Sequence, residues 1–404
     1  MKYCLYITPF LPYPTGGGSM MRASVALEVL ASLYPVIVVH TVWDSEAGRP
    51  IVLGRDEAGK AVHFVREDWA RDRAAAYFTV SLNRIGEIKS LVRNFIQCQE
   101  PGSTLDVVYT FRQHVAPSAL SCLDLTVPGP PITILDLDDD DANAKEQFVS
   151  LHNAAGDTTR AESVRSAVPR ISLFRRVLVT KFQHLLLASP NDCRALAQQY
   201  PGRTFTHLPN VVRKPNLSAA SGTTANPKQM LFVGTLSYLP NDDAILHFAR
   251  SILPLIREVD AEMAFRVVGM GRSDRVQALT ATPGVTVAGA VTDLAPEYAA
   301  AGMLVVPLRA GSGTRIKILE ALMHRTPVVS TAKGAEGLAV TSGEHLLIAE
   351  TPEEFAAACL RLATDTQLRQ HLTEQAHQWV EREHSVEAAR RVISGCLNRN
   401  TAST

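Results

Sequence analysis

Short apolar segments alternate along the chain with longer segments of helical periodicity. Several of the predicted strands are apolar at every position, which is typical of strands buried on both faces of a parallel sheet. The predicted strands are Cys4–Thr8, Val36–Thr41, Val107–Thr110, Ile132–Asp136, Leu185–Ser189, Met230–Gly234, Phe265–Gly269, Met303–Pro307 and Val328–Thr331. A helix is predicted over Met20–Leu33, because its apolar residues recur at i, i+3, i+4 and i+7. This alternation predicts an α/β fold with parallel, helix-covered sheets.

A polar segment divides the chain into two halves. Residues 214–228 have the sequence KPNLSAASGTTANPK, which is rich in Pro, Ser, Thr, Gly and Asn and typical of an exposed linker. We predict an N-terminal domain over residues 1–212, a linker over 213–228, a C-terminal domain over 229–380 and a final segment over 381–404 whose helix crosses back to the N-terminal domain. Two such halves would form a cleft at the carboxyl ends of their strands.

Composition limits the class of protein. The 404 residues are 46% hydrophobic, and Lys+Arg 40 equals Asp+Glu 40, so no overall field favours nucleic acid and any anion site must be local. No apolar run reaches the roughly 18 residues of a spanning helix, which leaves only peripheral membrane association open. The six cysteines are scattered without a CxxC pair, which predicts neither a disulfide framework nor a zinc site. We expect a cytoplasmic location.

Two glycine-containing segments are candidates for contact with a nucleotide donor. Gly16, Gly17 and Gly18 follow the first strand and precede a helix, whose N-terminal N–H groups suit a phosphate. The alternative is a tight turn with Ser19 as the helix N-cap. Gly269 lies in the sequence VGMG, which lacks the third glycine of a dinucleotide fingerprint; a strand-to-helix turn beside a nucleotide is the preferred interpretation.

The densest cluster of candidate chemistry is PLRAGSGTRIKILEAL, residues 307–322. A strand ends there, a loop of small residues follows, and a helix begins near Thr314. Arg309, Arg315 and Lys317 place three cations within nine residues, which in a chain of zero net charge indicates an anion such as a diphosphate. Glu320 is either a surface partner of Lys317 at i+3 or an acceptor for two vicinal ribose hydroxyls.

Two further segments carry polar side chains at strand ends. The acidic run Asp136–Asp141 is interpreted as helix capping or positioning of an acceptor, with a metal site as the alternative. His114 follows the strand Val107–Thr110, where it is either a sugar contact or a hydrogen-bonded loop histidine.

These motifs together resemble a known family. The runs GSGTRIKILEA, TPVVST and GAEGL, with FVGTL before PND and VVGMG, resemble the donor-site signature of the family 4 (group 1) retaining glycosyltransferases. The resemblance covers about 230–350 and, more weakly, the glycine loop and LPNVV at 208–212. It implies the GT-B fold, which has two facing Rossmann-like domains with an interdomain cleft. Ser312 departs from the glutamate of many members, and Thr235 and Pro240 stand where many carry Arg and Lys.

The resemblance also implies an activity. We expect transfer of a sugar from a UDP-, GDP- or dTDP-sugar to a hydroxyl acceptor, such as a glycan or a lipid-linked acceptor, with retention and without a metal or other cofactor. Surface polysaccharide, glycolipid and natural-product glycosylation are the expected settings. Alternatives are another GT-B enzyme, such as a nucleotide-sugar epimerase or a phosphorylase, and a two-domain ligand-binding protein. The candidate catalytic residues are His114, Arg315 and Lys317. The candidate donor-binding residues are Gly17, Gly18, Gly234, Gly269, Ser312, Gly313, Thr314, Arg315, Lys317 and Glu320.

Overall fold

A computed structural model describes residues 1–14, 17–42, 52–53, 74–81, 85–125, 129–214, 225–311 and 315–398. The strands in these residues are β1 Lys2–Thr8, β2 Val36–Val42, β3 Val52–Leu53, β4 Ala76–Ser81, β5 Thr104–Phe111, β6 Ile132–Asp138, β7 His184–Leu187, β8 Phe205–His207, β9 Asn226–Val233, β10 Ala264–Val268, β11 Val285–Gly289, β12 Ala301–Val306, β13 Val328–Ser330 and β14 Leu347–Ile348. Each predicted strand matches one of these to within a few residues at its ends.

The α-helices alternate with the strands. They are α1 Gly18–Ala31, α2 Ile85–Gln97, α3 Ala116–Leu120, α4 Asp141–Ala154, α5 Thr158–Leu178, α6 Pro190–Gln199, α7 Leu239–His247, α8 Leu253–Val259, α9 Asp274–Gln277, α10 Ala295–Ala300, α11 Ile316–Met323, α12 Pro352–Thr364, α13 Thr366–Glu383 and α14 Val386–Leu397. Short 3₁₀ turns lie at Gln113–Val115, Leu123–Leu125 and Ala278–Ala281, and a π-helical turn at Phe248–Ile252 lies between α7 and α8.

The chain divides into two compact units. The first contains Met1–Asp140, Ile171–Val211 and Val386–Thr404, and the second contains Asp141–Arg170 and Val212–Ser385. The predicted N-terminal domain ran without interruption from 1 to 212, whereas the structure groups 141–170 with the second unit. The reason is packing, because α4 lies against α7 of that unit. The final helix α14 belongs to the first unit.

The first unit is built on an eight-stranded sheet. Its strand order is β3-β4-β2-β1-β5-β6-β7-β8, and every pair is parallel except β3 with β4. Alternate residues of β1 enter separate cores, with Leu5 and Ile7 in one and Cys4 and Tyr6 in the other. Both faces are therefore covered, which explains why the strand is apolar from Tyr3 to Ile7.

The second unit has a six-stranded, wholly parallel sheet. Its order is β11-β10-β9-β12-β13-β14. The chain starts at the central strand β9, adds β10 and β11 on one side, and then reverses the direction of growth and adds β12, β13 and β14 on the other side. One continuous core of buried residues encloses it, including Phe232, Phe248 and Phe265. The reversal places the ends of β9, β10 and β12 side by side, where ligands of open α/β sheets collect.

In the described residues, no helix is both long enough and apolar enough to cross a bilayer.

Candidate functional site

Two glycines of the second unit lie where the loops after β9 and β10 cross. A Cβ atom on Gly269 would lie 1.6 Å from the carbonyl oxygen of Gly234, so only glycine fits at position 269. A Cβ atom on Gly234 would lie 2.6 Å from Nδ2 of Asn241 and 2.9 Å from Nζ of Lys317. The structure therefore brings together three sequence-predicted residues, Gly234, Gly269 and Lys317, and gives the glycines a steric reason.

Lys317 is a half-buried lysine in the first turn of α11. Its Nζ donates a hydrogen bond to Oδ1 of Asn241 at 2.8 Å and lies 4.1 Å from the ring centroid of Phe232. Burial, and to a smaller extent the neighbouring Arg315, lowers the pKa of Lys317 to about 7, and Glu320 opposes the shift. A cation held in this way, with little solvation, would gain strongly from a bound anion.

The other two cations of the segment have different surroundings. Arg315 is buried at the N-terminus of α11, and its Nη2 donates to the carbonyl oxygen of Gly311 at 2.7 Å. Arg309 is half-exposed and forms a two-point ion pair with Asp243, with distances of 3.0 and 2.6 Å. The sequence therefore overstated the local excess of charge, because Asp243 already neutralises one of the three cations. The predicted contacts Ser312, Gly313 and Thr314 lie outside the described residues.

Glu320 lies one turn further along α11. Its carboxylate accepts a hydrogen bond from the hydroxyl of Tyr298 at 2.9 Å, and the tyrosine is only 1% exposed. Burial raises the pKa of Glu320, while the Tyr298 hydrogen bond and Lys317 oppose the rise. The surface Glu–Lys pair does not form, because the carboxylate is half-buried and turned towards α10.

Helix α4 covers two loops of this site, which the sequence did not predict. Oε1 of Gln147 accepts a hydrogen bond from the backbone N–H of Gly311 at 2.8 Å. Phe148 packs edge-on against Tyr238 in the loop after β9, with 5.6 Å between ring centroids. No local motif marks these residues, since their role depends on the docking of α4 onto the second unit.

The first unit has a separate buried network of charge at the carboxyl end of its sheet. Arg22 on α1 pairs with both oxygens of Asp136, at 2.8 and 2.9 Å. The guanidinium also donates to Asn210 and to the carbonyl oxygen of Leu208, each at 2.9 Å, and Tyr109 donates to Asp136 at 2.9 Å. The network ties α1 to β5, β6 and the segment after β8.

Two non-glycine residues next to this network have positive φ angles. Arg112 has φ 76° and Asp138 has φ 66°, and they form an ion pair at 3.2 Å. Burial raises the pKa of Asp138 to about 7, with Asp139 adding to the rise and the two arginines opposing it. Backbone strain of this kind costs on the order of 1–3 kcal/mol and is concentrated at functional sites.

The remaining sequence-predicted residues of the first unit lie near these groups. Gly17 is the N-cap of α1 and Gly18 its first residue, so the alternative of Ser19 as the N-cap is wrong. Gly17 has φ −69°, which any residue can adopt, and the space where a Cβ would lie is open. His114 lies half-buried in the turn that follows β5. Gly16 is outside the described residues.

The acidic run is mostly engaged by arginines. Asp136 and Asp138 pair with Arg22, and Asp140 pairs with Arg175, while Asp141 lies in the first turn of α4 as helix capping requires. Within the described parts of the chain, no group of three or more His, Cys, Asp or Glu side chains converges as metal ligands would. The arginines are the feature that the sequence did not link to this run.

Comparison with known proteins identifies the second unit's signature. Residues 227–365 match the family model described as glycosyl transferases group 1. A Klebsiella pneumoniae protein described as an uncharacterized 44.6 kDa protein in the cps region is 24% identical over 136 residues. That alignment covers 31% of this chain and 35% of the relative.

Solved structures share the fold over most or all of the chain. HepE of Anabaena, solved with UDP and glucose, has a TM-score of 0.64 at 12% identity and covers 98% of this chain and 99% of its own. TarM of S. aureus, solved with UDP and alpha-GlcNAc-glycerol, has a TM-score of 0.54 at 13% identity, covering 72% of this chain. The match spans only 55% of TarM. The expected GT-B fold is confirmed, and the family match lies within the second unit of this fold.

Proposed function

We propose that this chain transfers a sugar from a nucleoside diphosphate sugar to a hydroxyl acceptor, with retention of configuration and without a bound metal ion. The observation that carries the proposal is the placement of Lys317 at the carboxyl edge of the second sheet. Its ammonium group lies between the Phe232 ring and Asn241, beside the buried Arg315. Two cations with little access to water, at the start of a helix, favour a diphosphate.

The donor contacts follow from this placement. Lys317, Arg315 and the backbone of the loop from Gly311 would bind the diphosphate, and Glu320 would accept hydrogen bonds from the two ribose hydroxyls. We propose UDP as the first nucleotide to test, because both HepE and TarM were solved with UDP. A glycan or a lipid-linked alcohol is the proposed acceptor, and His114 is the proposed contact of the transferred sugar.

The reaction needs charge stabilisation more than proton transfer by the protein. The bond between C1 of the sugar and the β-phosphate oxygen breaks, and the acceptor oxygen bonds to C1 on the same face. The acceptor proton passes to the departing phosphate. Negative charge on the diphosphate grows as the bond breaks, so fixed cations stabilise the transition state more than the bound donor. This assigns the main catalytic role to Arg315 and Lys317.

The test begins with nucleotide binding by the full chain. Thermal shift against UDP, GDP, dTDP and ADP, followed by calorimetry, should find one nucleotide that raises the melting temperature, because ligand bound to the folded state stabilises it. Lys317→Ala should lose most of that binding. Lys228→Ala is the matched control, since Lys228 lies on the exposed end of β9 with Asp260 and Glu262. Equal nucleotide affinity in Lys317→Ala and the wild type, or no binding of any of the four, would overturn the proposal.

Product analysis separates the rival enzyme. An epimerase would convert the nucleotide sugar when no acceptor is present. The proposed transferase should leave the donor sugar unchanged apart from slow hydrolysis, and should form a glycoside only when an acceptor alcohol is added.

A further inference from the structure

The Lys317 ammonium is held by a side chain from another helix. Asn241 lies on α7 and is 7% exposed. Its Oδ1 accepts from Nζ of Lys317 at 2.8 Å, and its Nδ2 donates to the carbonyl oxygen of Thr235 at 2.9 Å. The orientation of the amide is fixed by chemistry, since an ammonium can only donate and a carbonyl oxygen can only accept.

The hydrogen-bond partner of the Lys317 ammonium is a neutral amide and not a carboxylate. In the part of the chain that the structure describes, Lys317 forms no ion pair, and its contacts are the amide of Asn241 and the ring of Phe232. The charged or titratable groups around it are Arg315 and Glu320 on its own helix and the hydroxyl of Tyr298 on α10, which is bonded to Glu320. The lysine is therefore held in place without being neutralised.

Asn241 and Lys317 also pack against the glycine crossing, the point where the loops of Gly234 and Gly269 meet. Both the Asn241 amide and the Lys317 ammonium occupy the space that a side chain at position 234 would fill. The loop of Gly234 is in turn pressed against Gly269. Asn241 thus links three features of this edge: the loop after β9 through Thr235, the glycine crossing, and the cation on α11.

We propose that Asn241 is a positioning residue for Lys317, fixing the ammonium above the glycine crossing so that its charge stays available to the donor's diphosphate. This inference rests on the proposed function for its ligand, the diphosphate. The contact between Asn241 and Lys317 does not depend on that function. A carboxylate at position 241 would bind the ammonium more tightly and compete with the diphosphate. A neutral amide gives direction to the lysine and leaves its charge unpaired.

The lowered pKa of Lys317 has a consequence for proton uptake when a nucleotide binds. Because burial lowers the pKa of Lys317 to about 7, most of the population is neutral at pH 8 when no ligand is bound. A bound diphosphate favours the charged form, so nucleotide binding above pH 7 should take up protons. Replacing Asn241 with an acid should remove this effect, because the new carboxylate would already keep Lys317 charged.

The direct test measures Lys317 itself in the full-length chain. Lysine side chains are labelled with ¹³C at Cε, the Lys317 signal is identified by its loss in Lys317→Arg, and its pKa is followed in the wild type, Asn241→Ala and Asn241→Asp. The expected result is a rise of about 1–3 pKa units in Asn241→Asp, as an opposite charge within hydrogen-bonding distance produces. An unchanged Lys317 pKa in Asn241→Asp would overturn the inference.

The functional test compares turnover at saturating donor. Asn241→Ala should lower kcat by about tenfold or more with a smaller change in donor KM, and Asn241→Asp should weaken nucleotide binding. Asn226→Ala is the control, because this exposed asparagine lies at the opposite end of β9. Wild-type kcat in Asn241→Ala would contradict the positioning role.

The two proposals fail in distinguishable ways. If no nucleotide binds the wild type, the proposed function fails, and the Lys317 signal still decides whether Asn241 controls the lysine. If a nucleotide binds in a Lys317-dependent manner but the Asn241 variants behave as wild type, the inference alone is wrong. If Asn241→Ala does not fold, the test rests on Asn241→Asp. This variant preserves the shape of the side chain and its oxygen acceptor for Lys317.

Discussion

Replacing Glu320 with alanine tests the nucleotide end of the proposed site. The carboxylate would lose two charge-assisted hydrogen bonds to the ribose hydroxyls, and mutational series value such losses at about 1–3 kcal/mol. Since 1.4 kcal/mol corresponds to a factor of ten, Kd for the preferred nucleotide should rise by about 5- to 150-fold. Calorimetry on the full chain measures this change.

The same substitution should also affect stability, because Glu320 has a structural partner. Tyr298 is 1% exposed, and its hydroxyl would lose its 2.9 Å acceptor. A buried polar group left without a partner costs about 1–3 kcal/mol, although the hydroxyl can turn towards the carbonyl oxygen of Lys317 at 3.5 Å. At about 2–4 °C per kcal/mol for a domain of this size, the melting temperature should fall by several degrees.

Two variants separate the binding effect from the stability effect. Tyr298→Phe removes the hydroxyl and leaves the carboxylate, so it should lower the melting temperature while keeping Kd within about threefold of wild type. Glu320→Gln retains an acceptor for Tyr298 but loses the charge, so it should weaken binding with little loss of stability. Wild-type nucleotide affinity in Glu320→Ala would refute the ribose assignment, whatever its melting temperature.

Three further outcomes are expected. Activity should survive excess EDTA, and loss of turnover with rescue by magnesium or manganese would instead show that the reaction requires a bound metal ion. Arg315→Ala and Lys317→Ala should each lower kcat by about 10²-fold at saturating donor with less change in KM; values within about threefold of wild type would show that the diphosphate lies elsewhere. Stability should rise more steeply with pH between about 7 and 8.5 in the wild type than in Lys317→Met, because over this interval the unfolded chain holds a proton that the half-buried Lys317 has released. At higher pH the buried thiols of Cys4 and Cys359 oppose the rise, because burial raises their pKa and they ionise only on unfolding. Urea midpoints measured across this interval give the difference; equal slopes in the two proteins would contradict the lowered pKa of Lys317.

The α/β class and most of the strands followed from the sequence alone. Strand β12 is apolar at every position, and β1 is apolar from Tyr3 to Ile7, because both faces are covered, and that pattern is visible without a structure. The strands that were missed are β3, β4, β8, β11 and β14, and all of them except β4 are short or lie at an edge of their sheet. Two or three residues do not establish a period, and a half-exposed edge strand does not form an apolar run.

The sequence also singled out the segment that we propose binds the diphosphate, since three cations in nine residues after a buried strand are a local feature. Their neutralisation is not local. Asp243, which pairs with Arg309, is 66 residues away, and Asn241, which holds Lys317, is 76 residues away. The segment by itself therefore could not show that a carboxylate neutralises Arg309 whereas a neutral amide holds Lys317.

The strand order of the second sheet decided which side chains meet at the candidate site. In the second unit β9 lies between β10 and β12, so the loops after these strands meet, and residues from α7, α10 and α11 come into contact. The hydrogen bond between Gln147 and Gly311 depends on a further tertiary feature, the packing of α4 against α7. A periodic pattern reports only whether each position is buried or exposed. Which side chains then meet depends on how the sheet orders its strands, and that order is set by the packing of the whole unit.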